Sequence, residues 1–291
     1  MKEKHEKKML KYDFADEITS QDDKYDFVEQ KVFSYEHCEV VQTTILNDNN
    51  IFNKKKGIYY SVEFSSLNDK KSFLEVSETI QKIISKLIKL KIKSRKKKIL
   101  IVGLGNEDYA PDSLGPKVAK EINVTFHLDS SFNNQIASFV PLVKGVTGLE
   151  SFDVIKNIVR LHNFDIVICI DSLATSSLQR LNKVIQITDT GIIPGSGISN
   201  YRKELSYKSL GVPIIVIGIG TVIPLKSIIY SLFENINEMG QDVFDSLEEK
   251  AYNNMIFALK DIDKQMLYLV KLLSFSLNNL LCPKLLSSFD K

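Results

Sequence analysis

The chain has 291 residues, of which 44% are apolar and 25% charged, and its net charge is +2. This length allows one large domain or two smaller ones, and the near-neutral balance gives no indication of nucleic acid binding. Three scattered cysteines without CxxC spacing argue against a structural zinc site. The sequence has no uninterrupted apolar run of about 18 residues, so no membrane span is predicted. We therefore expect a cytoplasmic protein with no membrane partner and no direct nucleic acid partner.

The first hundred residues begin with a lysine-rich leader, residues 1–13, for which the sequence predicts no regular structure. Two strand-like runs at 38–46 and 58–64 predict a small β-hairpin. Apolar residues at helical spacing then predict a helix over 73–92, which ends in a run of lysines that suits a helix C-terminus.

The middle of the chain alternates strand-like and helix-like segments. Four apolar residues at 99–102 run into Gly103 and Gly105, and a helix is predicted soon after Asp112. Further strands are predicted at 137–143, 164–170, 183–188 and 212–222, with a helix at 152–161 and helices after residue 226. This order predicts an α/β fold, with a mostly parallel sheet flanked by helices, a small N-terminal β-hairpin and C-terminal helices.

Two acids, Asp112 and Asp171, each follow an apolar strand. Because the carboxyl ends of parallel strands meet at one sheet edge, we expect the two carboxyl groups to face each other. Neighbouring carboxylates do not both ionise readily, so one keeps a proton while the other can activate water. This arrangement supplies general acid–base catalysis for hydrolysis. The structural alternatives are a helix cap for Asp112 and a strand-end turn for Asp171.

Other motifs in the sequence give weaker indications of a catalytic function. The tripeptide Asp189-Thr190-Gly191 is that of pepsin-like and retroviral proteases, but those β folds need two copies and this chain has one among α/β elements. Arg202 suits a substrate carboxylate or the chain's own acids, or is a plain surface arginine. His127 follows the central strand and helix, and no HExxH or GxSxG pattern is present.

Several of these segments together resemble the germination protease family of endospore-forming bacteria. The matching stretches are, in order, VGLGNEDYAPDSLGPKV, GVTGLES, IDSLA, IQITDTGIIPGSGISNYR and LGVPIIVIGIGTV, with weaker matches at KYDFADE, GIYYSVEF and LKDID. The resemblance covers most of residues 11–281. Some positions depart from the family pattern, such as Ala110, where the family usually has threonine.

The resemblance implies a fold similar to that of the hydrogenase-maturation peptidases. It also implies an atypical aspartic endopeptidase that is made as a zymogen, assembles as a homotetramer and begins the degradation of small acid-soluble spore proteins in the forespore and spore core. The family's two proposed catalytic acids match Asp112 and Asp171. No cofactor or metal is expected, and the residues expected to bind substrate or support the acids are Asn106, His127, Asp189, Ser196 and Arg202.

The resemblance also divides the chain into a propeptide, residues 1–13, and a single peptidase domain, residues 14–291. The run Asp13-Phe14-Ala15-Asp16-Glu17 is similar to the family's processing site, which implies cleavage between Asp13 and Phe14. The structural alternative is a terminus that frays. Two functional alternatives stay open, namely a catalytically weakened paralogue that binds spore proteins and a metal-dependent peptidase in which the two carboxylates hold a cation.

Overall fold

The computed structural model describes residues 13–18, 25–50, 52, 54–128, 132–196, 202–225, 227–229 and 255–283. The predictions for residues 1–12 and for helices within 230–254 fall outside these ranges. No helix in the described part of the chain is long and apolar enough to cross a membrane.

The described strands form one mixed sheet in the order β1-β2-β3-β7-β8-β6-β4-β5, with β9 paired to β8. The strands are β1 Val28–Ser34, β2 Cys38–Ile45, β3 Gly57–Phe64, β4 Lys97–Gly103, β5 Asn134–Phe139, β6 Ile166–Ala174, β7 Val184–Thr188, β8 Ile214–Pro224 and β9 Ile256–Phe257. Strands β5, β4, β6 and β8 run parallel to one another. Their nearly continuous apolar sequences are typical of parallel strands that are buried on both faces.

Helices cover both faces of this parallel centre, so the predicted α/β class is confirmed. They are α1 Lys70–Lys91, α2 Leu114–Lys120, α3 Lys144–Thr147, α4 Ser151–His162, α5 Tyr207–Leu210 and α6 Ile262–Leu281. On one face, α1, α2 and α6 pack over Ile99, Ile101 and Ile168. On the other, Ile155 and Val159 of α4 pack over Val167 and Cys169. Asp69 caps the N-terminus of helix α1, and its carboxylate accepts a hydrogen bond from the Ser72 amide at 2.9 Å.

The N-terminal strands depart from the prediction in two ways. The predicted hairpin exists as β2 and β3, but β3 also pairs antiparallel with β7, so the hairpin continues the main sheet. Strand β1 was not predicted, because six of its seven residues are exposed and this edge strand lacks an alternating apolar pattern.

Strand β5 was predicted three residues too late. It covers Asn134–Phe139 rather than 137–143. Pro141 has no amide to donate to a neighbouring strand, and Leu142 adopts a φ of 59°, so the chain leaves the sheet there.

A close backbone contact at Gly115 fixes α2 against the sheet. A Cβ on Gly115 would overlap the carbonyl oxygens of Leu104 and Ile170 and lie 2.6 Å from the Leu104 amide nitrogen. Backbone surrounds this position, so a side chain has no flexible neighbour to displace. The contact brings the start of α2 to the ends of β4 and β6.

We expect Gly115→Ala to lower the free energy of unfolding by roughly 1–3 kcal/mol, because an overpacked methyl group forces the backbone to move. Chemical denaturation of the purified protein measures this loss. Gly145→Ala is the matched control, because a Cβ on Gly145 meets nothing within 4 Å. Equal stability of the two variants would show that the α2 contact tolerates a side chain.

Candidate active site

The two predicted acids line the same cavity, of about 150 Å³, at the carboxyl edge of the parallel strands. Asp171 belongs to β6, and Asp112 ends a short 3-10 turn, Ala110–Asp112, between β4 and α2. The Leu104 amide donates to the Ile170 carbonyl at 2.8 Å, which keeps the two strand ends together beyond β4. Strand β6 was predicted to end before Asp171 but continues to Ala174, so Asp171 lies within its strand while Asp112 follows β4.

Backbone groups hold the Asp112 carboxylate in place. Its Oδ2 accepts a hydrogen bond from the Asn106 amide at 2.9 Å, and the same amide lies 3.1 Å from the Asp112 carbonyl oxygen. Gly105 has a φ of 115°, and a Cβ there would overlap that carbonyl oxygen. Thr221 Oγ1 in β8 donates to the Pro111 carbonyl at 2.6 Å. The turn is therefore tied to the loop that follows β4 and to β8.

Asp171 is more deeply placed, with 4% of its surface exposed. Its Oδ1 accepts a hydrogen bond from the Ser172 amide at 3.0 Å. Across the sheet it pairs with Gly218 of β8, where the Leu173 side chain occupies the place that a Cβ would take.

Burial raises the pKa of both acids. It raises the pKa of Asp171 well above its ordinary value, and the negative charges of Asp112 and, to a smaller degree, Asp13 raise it further. Burial also raises the pKa of Asp112, to about 6, against the opposing effects of the Asn106 amide and the Arg202 charge. Of the two acids, Asp171 is therefore the one that keeps a proton more readily.

Because the pKa of Asp112 is raised in the folded protein, we expect the free energy of unfolding to depend on pH. The folded protein holds a proton on Asp112 up to about pH 6, whereas the unfolded chain releases it near the ordinary value of 3.8. Stability is therefore lost as the pH rises between these values. We expect Asp112→Asn to be more stable than the wild type at neutral pH, by at most about 3 kcal/mol, with the gain vanishing below about pH 4. Thermal unfolding at both pH values tests this; a variant less stable than wild type at neutral pH would contradict it.

The structure brings some of the other predicted residues to this cavity. Ser196 and Arg202 line it together with the two acids. Asn106 supports Asp112 through its backbone amide, while its side-chain Oδ1 accepts a hydrogen bond from the Asp108 amide at 3.1 Å.

Two predicted residues lie elsewhere. His127 is exposed beyond α2, and its neighbour Phe126 donates its amide to Ile136 in β5, away from the acids. Asp189 follows β7, where its carboxylate accepts a hydrogen bond from the Ile58 amide at 3.0 Å and lies 2.7 Å from Lys91 Nζ. Neither residue lines the cavity, and Asp189 instead joins α1 to the sheet.

Among the cavity residues that were not predicted are two with buried polar atoms, Glu150 and Ser172. Glu150 Oε1 and Ser172 Oγ are buried without a hydrogen-bond partner among the described residues. Both lie in motifs that carry the resemblance, GVTGLES and IDSLA, but neither motif shows which of its side chains faces the cavity.

A peptide segment from the N-terminal end of the described chain, Asp13 to Ile18, enters this cavity. Asp13 lines it, and the Asp13 carboxylate accepts hydrogen bonds from the Ala174 amide at 2.9 Å and from Ser196 Oγ at 3.2 Å. Phe14 and Ala15 are fully buried, with Phe14 packed against Leu173. Residues 13–17 are therefore docked against the rest of the described chain.

Arg180 anchors the acidic part of this segment. Its guanidinium lies 2.7 Å from the Asp16 carboxylate and 3.1 Å from that of Glu17, and its centre is 5.2 Å from the middle of the Phe14 ring. The hydroxyl of Thr175 and the amide of Ser176 also donate to Glu17, at 2.5 and 3.1 Å. The acidic and aromatic side chains of the segment each occupy a defined site.

Comparison with known proteins agrees with the resemblance noted above. The profile of the germination protease family matches residues 4–264. The chain is 34% identical over 248 residues to the germination protease of Clostridium tetani, which covers 82% of this chain and 76% of that protein. It is 33% identical over 291 residues to the one from Clostridium acetobutylicum, covering 88% and 89%. With the protein from Priestia megaterium the identity is 40% over 187 residues, covering 60% of this chain and 50% of that relative. The chain therefore belongs to the germination protease family, a family of peptidases.

Proposed function

We propose that this peptidase acts in spore germination as an endopeptidase on small acid-soluble spore proteins, with Asp112 and Asp171 as its catalytic acids. The observation that supports this most strongly is that both carboxyl groups line one cavity and that burial raises the pKa of each, with the charge of Asp112 raising that of Asp171 further. Unequal protonation of two neighbouring acids is the arrangement that acid–base hydrolysis requires.

In the proposed reaction, ionised Asp112 accepts a proton from water as the water oxygen attacks the peptide carbonyl carbon. Protonated Asp171 then donates its proton to the leaving nitrogen as the carbon–nitrogen bond breaks. Neither acid forms a covalent bond to the substrate in this scheme. The pair ends with the same number of protons that it had at the start, but the proton is now on Asp112, and its return to Asp171 resets the pair for the next turnover.

The departure from the family pattern at Ala110 leaves the Asp112 turn intact. The Ala110 carbonyl accepts hydrogen bonds from the Ser113 amide and from Ser113 Oγ, at 3.3 and 2.8 Å. These are main-chain contacts at Ala110, and they do not need a threonine side chain. This favours an active enzyme over a weakened paralogue.

The docked segment supports the zymogen part of the proposal. Asp13 is the residue of this segment that lines the acid cavity, and it lies at the predicted cleavage site. Removal of residues 1–13 would begin the mature chain at Phe14. A tethered segment also competes well for its own site because its effective concentration is high. Assembly as a homotetramer in the spore core completes the proposal; sedimentation of the purified protein tests the oligomeric state.

The experiment that tests this function incubates the purified protein with a small acid-soluble spore protein and maps the fragments by mass. We expect a few defined cuts, each between an acidic and a bulky apolar residue, and none with Asp171→Asn. Stable binding without cuts would identify a non-catalytic paralogue. Loss of cutting on addition of a chelator, restored by a divalent cation, would indicate the metal-dependent alternative.

A further inference from the structure

Two side chains hold the backbone carbonyl of Asp13 where the docked segment meets the cavity. Lys54 Nζ donates a hydrogen bond to this oxygen at 2.8 Å, and Gln186 Nε2 donates one at 2.9 Å. Gln186 Oε1 in turn accepts a hydrogen bond from the Ala15 amide at 2.8 Å. One side-chain amide therefore contacts the chain on both sides of the Asp13–Phe14 bond.

Gln186 is well placed with respect to the acids. It is 6% exposed in β7 and pairs with Gly218 of β8, which itself pairs with Asp171 of β6. Directly paired residues present their side chains on the same face of a sheet. Gln186 and Asp171 thus share a face and are separated by a residue without a side chain.

The loop between β2 and β3 holds Lys54 in position. Asn50 Oδ1 accepts a hydrogen bond from the Lys54 amide at 3.0 Å, and Asn50 Nδ2 donates to the Lys54 carbonyl at 2.6 Å. The loop conformation that directs the ammonium group toward Asp13 is therefore fixed by its own side-chain contacts. Donors that are fixed before the reaction need little reorganisation during it.

We propose that Lys54 and Gln186 are catalytic residues for cleavage of the Asp13–Phe14 bond, in which they stabilise negative charge on the Asp13 carbonyl oxygen. This inference rests on the proposed function of the acid pair. As water attacks the Asp13 carbonyl carbon and gives a proton to Asp112, the carbonyl electron pair moves to the oxygen that both donors hold. The carbonyl then re-forms, the bond to the Phe14 nitrogen breaks, and that nitrogen takes the proton of Asp171. The products are the Asp13 carboxyl group and a free Phe14 amine.

A purely structural role for Lys54 is the competing explanation. Burial lowers the pKa of Lys54, and the negative charges of Asp13, Glu17 and Asp16 act against this effect, so the lysine also balances acids of the segment. A structural role predicts that removal of the ammonium group releases the segment. A catalytic role predicts that the segment stays docked and is cut more slowly.

The test measures self-cleavage of the full chain over time, through the appearance of an N-terminus at Phe14. We expect Lys54→Met to be cut roughly 10²–10³-fold more slowly than the wild type, which is the usual effect of removing one such donor. Gln186→Glu should also be slow, since it removes the donor but keeps an acceptor for the Ala15 amide. Lys55→Met, which removes the same charge from the neighbouring residue, should be cut at the wild-type rate. Hydrogen exchange should show that the Ala15 amide stays protected in Lys54→Met.

Three outcomes would overturn the inference: cleavage of Lys54→Met at the wild-type rate, slow cleavage with lost protection of the Ala15 amide, or a wild-type chain that is not cut at Asp13–Phe14. In each case, digestion of an added spore protein that depends on Asp171 would leave the proposed peptidase function of the acid pair standing, and the third outcome would count only against the proposed processing site. Digestion of that protein by Asp171→Asn would instead contradict the proposed function itself.

Discussion

Asp112→Asn and Asp171→Asn should each abolish peptide hydrolysis while leaving the fold intact. A positioned acid or base contributes roughly 10²–10⁴-fold to the rate, and the two carboxyl groups act as one unit. We therefore expect the double variant to be no slower than the slower single variant, because removing one member already destroys the division between proton donor and proton acceptor. Initial rates of spore protein cleavage measure the effect.

Asp108→Asn is the matched control for this experiment. Asp108 is exposed in the same loop as Asp112 and does not line the cavity, so its variant should cleave at the wild-type rate. Additive losses in the double variant would show that the acids act independently. Loss of activity in Asp189→Asn alone, with both pair variants active, would favour the pepsin-like alternative.

The second large effect is expected from Arg180→Met, which should release the docked segment. The side chains of Arg180, Asp16 and Glu17 are 12%, 10% and 4% exposed, so the variant removes the cation that contacts two nearly buried carboxylates. Breaking a buried ion pair in this way costs about 3–5 kcal/mol. The loss is limited to the free energy of docking, because a terminal segment can leave without unfolding the sheet.

Hydrogen exchange at Ala15 and the rate of proteolysis near Phe14 report this release. Burial raises the pKa of Glu17, so the defect should diminish in acid, as Glu17 becomes neutral when the pH falls through that raised value. Arg160→Met, at an exposed position in α4, is the control and should change neither readout. Continued protection of Ala15 in Arg180→Met at neutral pH would show that apolar burial of Phe14 alone holds the segment.

The sequence predicts the parallel centre of this fold well because its strands are buried on both faces. The run 166–170 is apolar throughout, and acids that come after such runs reach one sheet edge by topology alone. The edge strand β1 lacks that signal, since its side chains are mostly exposed. The antiparallel pairing of β3 with β7 depends on a contact between segments more than 100 residues apart, which no local pattern records.

The residues of the candidate site likewise divide into those that the sequence predicts and those that it does not. Asp112 and Asp171 are predictable from strand ends, and Ser196 and Arg202 from the glycine-rich loop that follows β7. Lys54 lies in a run of three lysines that resembles any solvated loop, and its position depends on Asn50 and on a segment 41 residues earlier in the chain. Donors that converge on one carbonyl from distant segments leave no spacing for sequence analysis to find.

The pH dependence of kcat/KM for cleavage of a spore protein tests the central claim most directly, because it reports the ionisation of the free enzyme. The account predicts a rise in kcat/KM as the pH increases through about 6, where Asp112 loses its proton, and a fall at higher pH, where Asp171 loses the proton that it donates. Circular dichroism at each pH confirms that the protein stays folded. A rate that does not change as the pH passes through about 6, in a protein that stays folded, would contradict catalysis by this pair.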